Sequence, residues 1–350
     1  MHGGNVWRGE QPSEWLDYSA NIRPEGAPEW VKDALSSAMQ YISYYPDPSM
    51  QRAKAALSAA LGIRSDCICP TAGGISAIDL ATHLPASGML LFTPCFGEYE
   101  MLSARRDKEI QKVSLLESRH CIGDPAERIR DVLHEGCAVW LCNPLNPVGI
   151  AFSKAQIGEL LSRVEAVKGW LIVDEAFIDY CPQHSVVAMV QQHERLVVTG
   201  SMTKILGIPG VRLGYLCAQP QVLAQLMRFQ LTWELSCFAE AVACALPLHE
   251  AEIREDARRN ALRRETLRVA LETLGAYVYP SEAAFLLADF GRPVAPIAKC
   301  LEKKKILVRG CMNFDGLDDG CHLRLAVKDE ESNRKFIEAL REALRCAESH

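Results

Sequence analysis

The sequence lacks the features that would place a protein in a membrane or on nucleic acid. No apolar run approaches the ~20 residues that a membrane-spanning helix needs, and residues 1–4 form neither a basic nor an apolar leader. Positive charge is not in excess either: 38 Lys and Arg stand against 44 Asp and Glu, and a net charge of −6 disfavours binding to a polyanion. We therefore expect a cytoplasmic protein with neither a membrane nor a nucleic acid as its partner.

Cysteine is plentiful, but it lacks the spacing of a metal or redox site. The 14 cysteines are spread from Cys67 to Cys346 without any Cys-x-x-Cys pair. Cys67 and Cys69 fall in one predicted strand, and most of the others lie inside apolar runs. A zinc site and a secreted disulfide framework are both disfavoured at this length. We expect the cysteines to be small buried hydrophobic residues and no metal to be bound.

The chain also lacks repeats, low-complexity tracts and linker-like stretches. Hydrophobic residues make up 49% and charged residues 23%, a composition that excludes disorder and is typical of a globular protein. In the central part, short apolar runs alternate with longer amphipathic ones, and this alternation predicts a mostly parallel sheet covered by helices on both faces. The predicted strands are Met89–Phe92, Cys137–Leu141, Trp170–Val173 and Leu196–Val198, and the predicted helices are Glu98–Arg106 and Ser153–Val167.

The last third has a different pattern, which predicts a smaller α+β domain. Its predicted helices are Glu250–Leu274 and Glu330–Leu344, and its predicted strands are Ala284–Asp289, Ile306–Val308 and His322–Val327. Residues 246–350 therefore form the predicted small domain and residues 43–245 the large domain. Residues 1–42 show no strand of their own in the alternating pattern, and we expect this segment to pack on the small domain or at a subunit interface.

Polar residues that directly follow the apolar strands are the candidates for chemistry, because ligands bind beyond the carboxyl ends of parallel strands. A buried acid at the end of a strand needs a cationic partner. A lysine surrounded by hydroxyls and small residues can serve as a reactive amine close to a phosphate. Backbone N–H groups at a helix N-terminus can hold that phosphate. The four segments concerned are Asp174–Phe177, Thr199–Lys204 followed by Arg212, the turn Asn143–Gly149, and Pro70–Ser76.

In this order and spacing, the four segments resemble the fold-type I enzymes that use pyridoxal phosphate, and the resemblance covers almost the whole chain. It implies an α/β fold whose large domain has a mostly parallel, seven-stranded sheet. Lys204 is implied to carry the cofactor, Asp174 to pair with the protonated pyridine nitrogen, and Asn146 to bind the ring's 3′ oxygen. Tyr99, or Phe96 as the alternative, is implied to stack on the ring. The implied phosphate contacts are Gly73, Gly74, Ile75, Ser201 and Arg212.

The resemblance further implies a second subunit and a substrate site. Tyr45, in Tyr45–Pro48, matches the tyrosine that reaches the cofactor phosphate of the neighbouring subunit, so we expect a homodimer with shared active sites. Arg324 matches the family's arginine for the substrate anion, and Arg309 looks like a second one. The implied substrate contacts are His2, Gly3, Asn21, Asn146, Arg309 and Arg324.

Four segments narrow the resemblance to the L-threonine-O-3-phosphate decarboxylases, which make the aminopropanol phosphate linker of cobalamin. They are His2–Asn5, Leu16–Asn21, Tyr45–Pro48 and Asp174–Tyr180. Phe177, an implied cofactor contact, favours the same subgroup, because aminotransferases of this fold usually carry Tyr there. The resemblance therefore implies a lyase that decarboxylates a phosphorylated amino acid.

Alternatives stay open at this point. Histidinol-phosphate aminotransferases share the fold, the two-arginine anion site and most cofactor contacts. The segment Thr71–Ser76, with Val148 and Ala284, departs from the family's usual pattern, which leaves a related substrate such as phosphoserine open. A pyridoxal-phosphate-binding regulator is disfavoured, because the cofactor motifs start by residue 71 and no winged-helix segment precedes them.

Overall fold

The computed structural model describes residues 3–8 and 11–348, with side chains up to residue 346. The strands are β1 Leu16–Asp17, β2 Ile68–Thr71, β3 Met89–Thr93, β4 Ile110–Ser114, β5 Leu116–Ser118, β6 Cys121–Ile122, β7 Ala138–Cys142, β8 Trp170–Asp174, β9 Leu196–Ser201, β10 Gly214–Cys217, β11 Tyr277–Val278, β12 Phe285–Asp289, β13 Ile306–Leu307, β14 Arg309–Gly310 and β15 His322–Ala326. The α-helices are α1 Glu29–Ala38, α2 Gln51–Leu61, α3 Gly74–Ala81, α4 Glu98–Ala104, α5 Pro125–Arg128, α6 Lys154–Ala166, α7 Pro220–Leu226, α8 Cys237–Ala245, α9 Glu250–Thr273, α10 Ala295–Lys303 and α11 Glu330–Glu348.

The large sheet has seven strands in the order β2-β10-β9-β8-β7-β3-β4. Strand β10 runs antiparallel to both of its neighbours, and the other four pairings are parallel. Every residue of β3, β7, β8 and β9 is buried, as the near-continuous apolar runs require when helices cover both faces. The predicted fold class, a mostly parallel seven-stranded sheet with helices, is confirmed.

The helix α6 shows how local sequence sets the elements around this sheet. Ser153 caps its N-terminus by accepting a hydrogen bond from the Gln156 backbone N–H (3.3 Å), and the Gln156 side chain accepts from the Ser153 N–H (3.0 Å). This reciprocal pair is a capping box, which satisfies two donors that the first helical turn leaves free. The apolar residues at helical spacing are all buried, namely Ile157, Leu160, Leu161 and Val164.

A second core belongs to the C-terminal part and includes the N-terminal segment. It packs α9, α10 and α11 against the four-stranded sheet β11-β12-β15-β14. Tyr18 lies in this core, stacked on Phe336 at 4.1 Å and donating to the Asn333 side chain at 2.8 Å. The domain boundaries after residues 42 and 245 stay a prediction.

The structure corrects two local predictions. Residues 1–42 do contain a strand, because β1 pairs in parallel with β13; a strand of two residues is too short to show an alternating pattern. Cys67 is not in a strand with Cys69: it ends a 3₁₀ turn over Ser65–Cys67, and only Cys69 lies in β2.

All 14 cysteines are free thiols. The expectation that they are buried is confirmed for seven and is wrong for the others, since five are half-buried and Cys121 and Cys346 are exposed. Among the described residues, no group of three or more His, Cys, Asp or Glu side chains is arranged to hold a metal ion. Within the same ranges, no helix combines the length and the apolarity needed to cross a bilayer.

Candidate active site

The strand-end residues meet at one edge of the large sheet because β7, β8 and β9 are parallel. Asp174 ends β8, and the register of the sheet sets it beside Cys142 of β7 and Thr199 of β9. Ser201 ends β9, and Lys204 follows it in the next turn. The sheet therefore collects an acid, a hydroxyl and an amine at the edge where α/β proteins bind ligands.

The turn between β2 and α3 forms one wall of this site together with Arg212. Gly73 has a φ of +80°, and a Cβ added there would lie 2.6 Å from Nη2 of Arg212. A Cβ on Gly74, the first residue of α3, would lie 3.2 Å from Cβ of Ser201. The glycines thus let the backbone approach the guanidinium and the hydroxyl closely. Backbone N–H groups at a helix start, a hydroxyl and a guanidinium are together suited to hold a phosphate, and Ile75 lies in the first turn of that helix. We call this group of residues the phosphate cradle.

A segment that the sequence did not predict supports this cradle. Glu234 accepts a hydrogen bond from the Ala72 N–H (2.9 Å), and the Gln230 side chain donates to the Pro70 carbonyl (2.7 Å). Between them, Trp233 stacks on Tyr45 with ring centroids 4.4 Å apart. Two hydrogen bonds therefore connect the segment Gln230–Glu234 to the residues at the C-terminal end of β2. No spacing rule points to Glu234, which lies 162 residues from its partner.

Asp174 is buried and surrounded by hydrogen-bond donors. Its Oδ2 accepts from the Tyr99 hydroxyl, and its Oδ1 accepts from the Ala176 N–H (3.1 Å) and the Thr199 hydroxyl (3.2 Å). Burial raises the pKa of Asp174, whereas these donors and the charge of Lys204 act to lower it. The donors therefore favour the ionised form of the carboxylate, and a cation opposite it would favour that form further.

Lys204 is the reactive amine that this site offers. Burial is the main cause that lowers the pKa of Lys204 to about 8, and the positive charges of Arg212 and Arg324 add to it. A lysine with a lowered pKa has a larger neutral fraction near neutral pH, and the neutral amine is the nucleophile.

Arg324 lies on β15 and is buried against neutral partners. Its Nη1 donates to the Asn146 side-chain oxygen (2.8 Å) and its Nη2 to the Ser19 carbonyl (2.7 Å), while Nε has no partner among the described residues. The guanidinium also lies over the Phe285 ring, 5.6 Å from its centroid. Burial lowers the pKa of Arg324 to about 10. The charge of Asp17 acts in the opposite direction, but no carboxylate hydrogen-bonds this guanidinium among the described residues, so it is suited to bind an anion.

The N-terminal segment approaches this arginine through Ser19. Gly3 packs so closely that an added Cβ would lie 2.0 Å from the Ser19 carbonyl oxygen, and the Gly4 N–H donates to the Ser19 hydroxyl (2.8 Å). Asn21 is buried, and both polar atoms of its side chain lack a partner within the described part of the chain. His2, the other predicted N-terminal contact, lies outside the described residues.

Three further predicted residues, Arg309, Phe177 and Tyr45, differ in burial and in their contacts. Arg309 is partly buried and donates to the Asn313 side chain (2.7 Å). Phe177 is buried and meets Phe285 edge to face at 5.1 Å. Tyr45 is 80% exposed on the surface of its own chain. Its role in a neighbouring subunit therefore stays a prediction. The contacts of the other site residues with cofactor and substrate also stay predictions.

The residues present fit a pyridoxal phosphate group. The cradle of Gly73, Gly74, Ser201 and Arg212 would hold a phosphate, and Lys204 would carry the group. A buried carboxylate such as Asp174 has a use opposite a cationic ring nitrogen. Asn146 would face the ring with its amide nitrogen, because its oxygen already accepts from Arg324.

Comparison with known proteins gives consistent matches over nearly the whole chain. The family model described as aminotransferase class I and II matches residues 14–340. A threonine-phosphate decarboxylase of Salmonella typhimurium is 31% identical, with 98% of this chain and 96% of that protein covered. A histidinol-phosphate aminotransferase of Symbiobacterium thermophilum is 32% identical, with coverage of 93% and 89%. The structure of histidinol-phosphate aminotransferase from Sinorhizobium meliloti in complex with pyridoxal 5′-phosphate has a TM-score of 0.84 at 19% identity, covering 94% of this chain and 90% of that one.

Proposed function

Because the chain belongs to the aminotransferase class I and II family and its cofactor is pyridoxal 5′-phosphate, we propose that it decarboxylates L-threonine O-3-phosphate. The products are (R)-1-aminopropan-2-ol O-phosphate and CO2, and the proposed role is in cobalamin biosynthesis. The full-length similarity to a threonine-phosphate decarboxylase supports this assignment. The assignment is more specific than the family, because a histidinol-phosphate aminotransferase matches this chain at a similar sequence identity.

The buried Arg324 is the observation that carries the proposal. Its guanidinium has only neutral acceptors, Asn146 and the Ser19 carbonyl, so its positive charge is free to bind an anionic substrate. The Ser19 carbonyl belongs to the segment on which Gly3 and Gly4 pack. The N-terminal Gly-Gly pair, a mark of the decarboxylase subgroup, is thereby next to the anion site rather than remote from it.

The bound cofactor supplies an electron sink for the charge that stays behind when CO2 departs. The protein's own residues then have separable tasks. Asp174 balances the charge of the ring nitrogen, and the cradle around Arg212 anchors the phosphate of the cofactor. Arg324, with Arg309, holds mainly the phosphate of the substrate, because the substrate carboxylate must be free to leave its charge behind. The neutral form of Lys204 is available as a base or nucleophile.

The test is an assay of the holoenzyme with L-threonine phosphate in the absence of any 2-oxo acid. We expect CO2 and an amino alcohol phosphate in equal amounts. The same preparation is assayed with histidinol phosphate and 2-oxoglutarate, and with phosphoserine. Turnover of histidinol phosphate that depends on 2-oxoglutarate, with no CO2 from threonine phosphate, would establish the aminotransferase alternative. CO2 from phosphoserine alone would move the assignment to that substrate.

We also propose that the protein is a cytoplasmic homodimer with shared active sites. Large apolar side chains are exposed on the segment after α1 and on the segment after α7, and the Tyr45–Trp233 stack joins the two segments. They are Met39, Tyr41, Ile42, Tyr44, Tyr45, Phe229, Leu231 and Trp233. A cavity of about 370 Å³ lined by Leu35, Met39, Val211 and Phe238 adjoins them. An apolar patch of this extent favours a protein partner. The Tyr45–Trp233 stack connects the patch with the phosphate cradle through Glu234.

A further inference from the structure

The hydroxyl group of Tyr99 has a distinct place in the site. It donates to Oδ2 of Asp174, whereas the Thr199 hydroxyl (3.2 Å) and the Ala176 N–H (3.1 Å) both donate to Oδ1. The two carboxylate oxygens are therefore not equivalent. Loss of Thr199 would leave Oδ1 with a second donor, but loss of the Tyr99 hydroxyl would leave Oδ2 without the donor it has in this structure.

The position of this hydroxyl is fixed by packing. Tyr99 lies in α4 and is 1% exposed. Its ring stacks on Trp140 of β7, with centroids 4.8 Å apart and planes 15° apart, and Phe96 meets it edge to face at 5.8 Å. A ring held on two sides keeps its hydroxyl aimed in one direction. Strand β7 neighbours β8, so the support of the tyrosine and its carboxylate partner belong to the same rigid sheet.

The proton of this hydrogen bond stays on the tyrosine. Burial, followed by the charge of Asp174, raises the pKa of Tyr99 well above its ordinary value of 10. Burial also raises the pKa of Asp174, and the Tyr99 hydroxyl is the first of the groups that lower it again. A hydrogen bond to a charged acceptor favours the charged form.

We infer that Tyr99 is a positioning residue for Asp174, whose hydroxyl keeps this carboxylate ionised and oriented for the cationic ring nitrogen of the cofactor. This role belongs to the hydroxyl and is separate from any stacking of the Tyr99 ring. It rests on the cofactor and not on the identity of the substrate. The inference therefore survives if the proposed reaction is replaced by transamination.

Other ionisable groups face Asp174, and the test must distinguish their titration from its own. They are Tyr99 from α4, Cys142 from β7, Glu175 beside it in the chain, Lys204 after β9 and Tyr215 from β10. Burial raises the pKa of Cys142, of Tyr99 and of Tyr215 far above neutrality. Only Glu175, with a pKa of about 7, and Lys204, with a pKa of about 8, titrate near neutral pH.

The experiment compares Tyr99→Phe with Tyr99→Leu in the purified full-length protein. Phenylalanine keeps the ring and loses only the hydroxyl, whereas leucine loses both. We expect Tyr99→Phe to bind pyridoxal 5′-phosphate roughly ten- to a hundredfold more weakly, the usual effect of losing a hydrogen bond to a charged group. The visible absorbance of the bound cofactor should also change its pH dependence, and kcat should fall while KM for the substrate stays within about twofold.

Two matched variants complete the test. Thr199→Val removes a donor from Oδ1 and should weaken cofactor binding less than Tyr99→Phe does. Tyr277→Phe removes a hydroxyl from a tyrosine of β11 that stacks on His120 and makes no contact with Asp174, and it should leave cofactor binding unchanged. Wild-type affinity and an unchanged pH dependence in Tyr99→Phe, with a loss only in Tyr99→Leu, would overturn the inference. A Tyr99→Phe protein that fails to fold would show in its thermal unfolding, and Tyr99→Met, which is no larger than tyrosine and offers no donor to Asp174, would then take its place.

Discussion

At the scale of single residues, the site contains buried charged groups that influence one another's protonation without forming close ion pairs. Lys204 lies among Arg212, Arg324 and Asp174, and the two arginines oppose its protonation while the acid favours it. Arg324 itself has no carboxylate partner in the described residues. Such a site has positive charge that no close ion pair neutralises, and an anionic cofactor and the proposed substrate would neutralise it.

The rate at which apoprotein attaches pyridoxal 5′-phosphate should therefore rise with pH through about 8, the pKa of Lys204. The neutral amine is the attacking form, and the lowered pKa means that it predominates above this value. Replacing Arg324 with Met removes a neighbouring positive charge, so the midpoint should move to higher pH. The measurement is stopped-flow absorbance across pH, with Lys204→Ala as the blank. A midpoint that stays in place in Arg324→Met would contradict the electrostatic account.

Arg324→Ala should also cost about 2–4 kcal/mol in kcat/KM for the phosphorylated substrate, the usual effect of losing a buried charge-assisted contact. Arg324→Lys should recover only part of it, because an ammonium cannot donate to Asn146 and Ser19 in the same planar geometry. Steady-state kinetics measure this. Cofactor affinity should be much less affected, and an equal loss of both would mean that Arg324 supports the fold rather than the substrate.

At the scale of elements, the segment Gln230–Glu234 connects the phosphate cradle with the exposed aromatic patch. It is held at Pro70 and Ala72 of the β2 end, and it carries the Trp233 ring that stacks on Tyr45. A carboxylate so close to a phosphate loop has two opposite effects. As an acceptor it orients the loop, and as a negative charge it opposes a phosphate dianion.

Two substitutions at Glu234 separate these effects. Glu234→Gln keeps an oxygen that can accept from the Ala72 N–H and removes the charge, so apoprotein should bind pyridoxal 5′-phosphate several-fold more tightly at low salt. Glu234→Ala removes the acceptor as well, and binding should weaken because the loop loses a support. Fluorescence titration at two salt concentrations measures both. Equal affinities for the two variants would show that the contact with Ala72 does not matter.

At the scale of the whole molecule, two buried acids next to the site, Glu175 and Asp179, make the free energy of unfolding depend on pH. Glu175 is buried and accepts from the Val186 N–H (2.6 Å) and the Ser185 hydroxyl (2.7 Å). Burial raises the pKa of Glu175 from 4.5 to about 7, and it raises the pKa of Asp179 from 3.8 to about 7. The folded state therefore prefers both acids protonated.

An acid whose pKa is raised on folding contributes stability at low pH and loses it as the pH rises through the folded-state pKa. From these two groups, we expect stability to fall as the pH rises from about 4.5 towards and through about 7. Glu175→Gln should remove part of this fall, since an amide does not ionise and its oxygen can still accept from Val186. Thermal unfolding at several pH values is the measurement. A variant with the same pH slope as the wild type would show that Glu175 does not titrate in this range.

The proposed homodimer is tested by complementation between two inactive variants. Tyr45→Ala lacks the residue offered to the neighbouring site, and Lys204→Ala lacks the amine of its own site. If the sites are shared, one of the two sites in a mixed dimer is intact, so an equal mixture should regain about a quarter of the wild-type activity after subunit exchange. Ultracentrifugation at the assay concentration should give the dimer mass. No recovery despite demonstrated exchange would place Tyr45 outside the partner's site.

By itself, the sequence determined the mostly parallel sheet through its apolar runs, and it indicated the cofactor through the resemblance of its strand-end segments to the fold-type I enzymes. These signals are local: apolar runs mark the strands, and polar residues directly after them must emerge at one edge of a parallel sheet. The places of Asp174 and Lys204 in the chain could be singled out for this reason, and helical periodicity gave α6, α9 and α11, whereas α10 was not predicted. The two-residue strand β1 and the 3₁₀ turn at Cys67 were missed because they are shorter than any periodic pattern.

Only the tertiary structure decided which groups meet inside the site. Tyr99 reaches Asp174 across 75 residues, Ala72 reaches Glu234 across 162, and Arg324 reaches the Ser19 carbonyl across 305. The last of these contacts uses a backbone carbonyl, which every residue possesses and which no residue type can mark. The first two pairs are set by packing around the large sheet, and the third by how the N-terminal segment packs on the small domain. Both kinds of packing depend on the whole core rather than on local sequence.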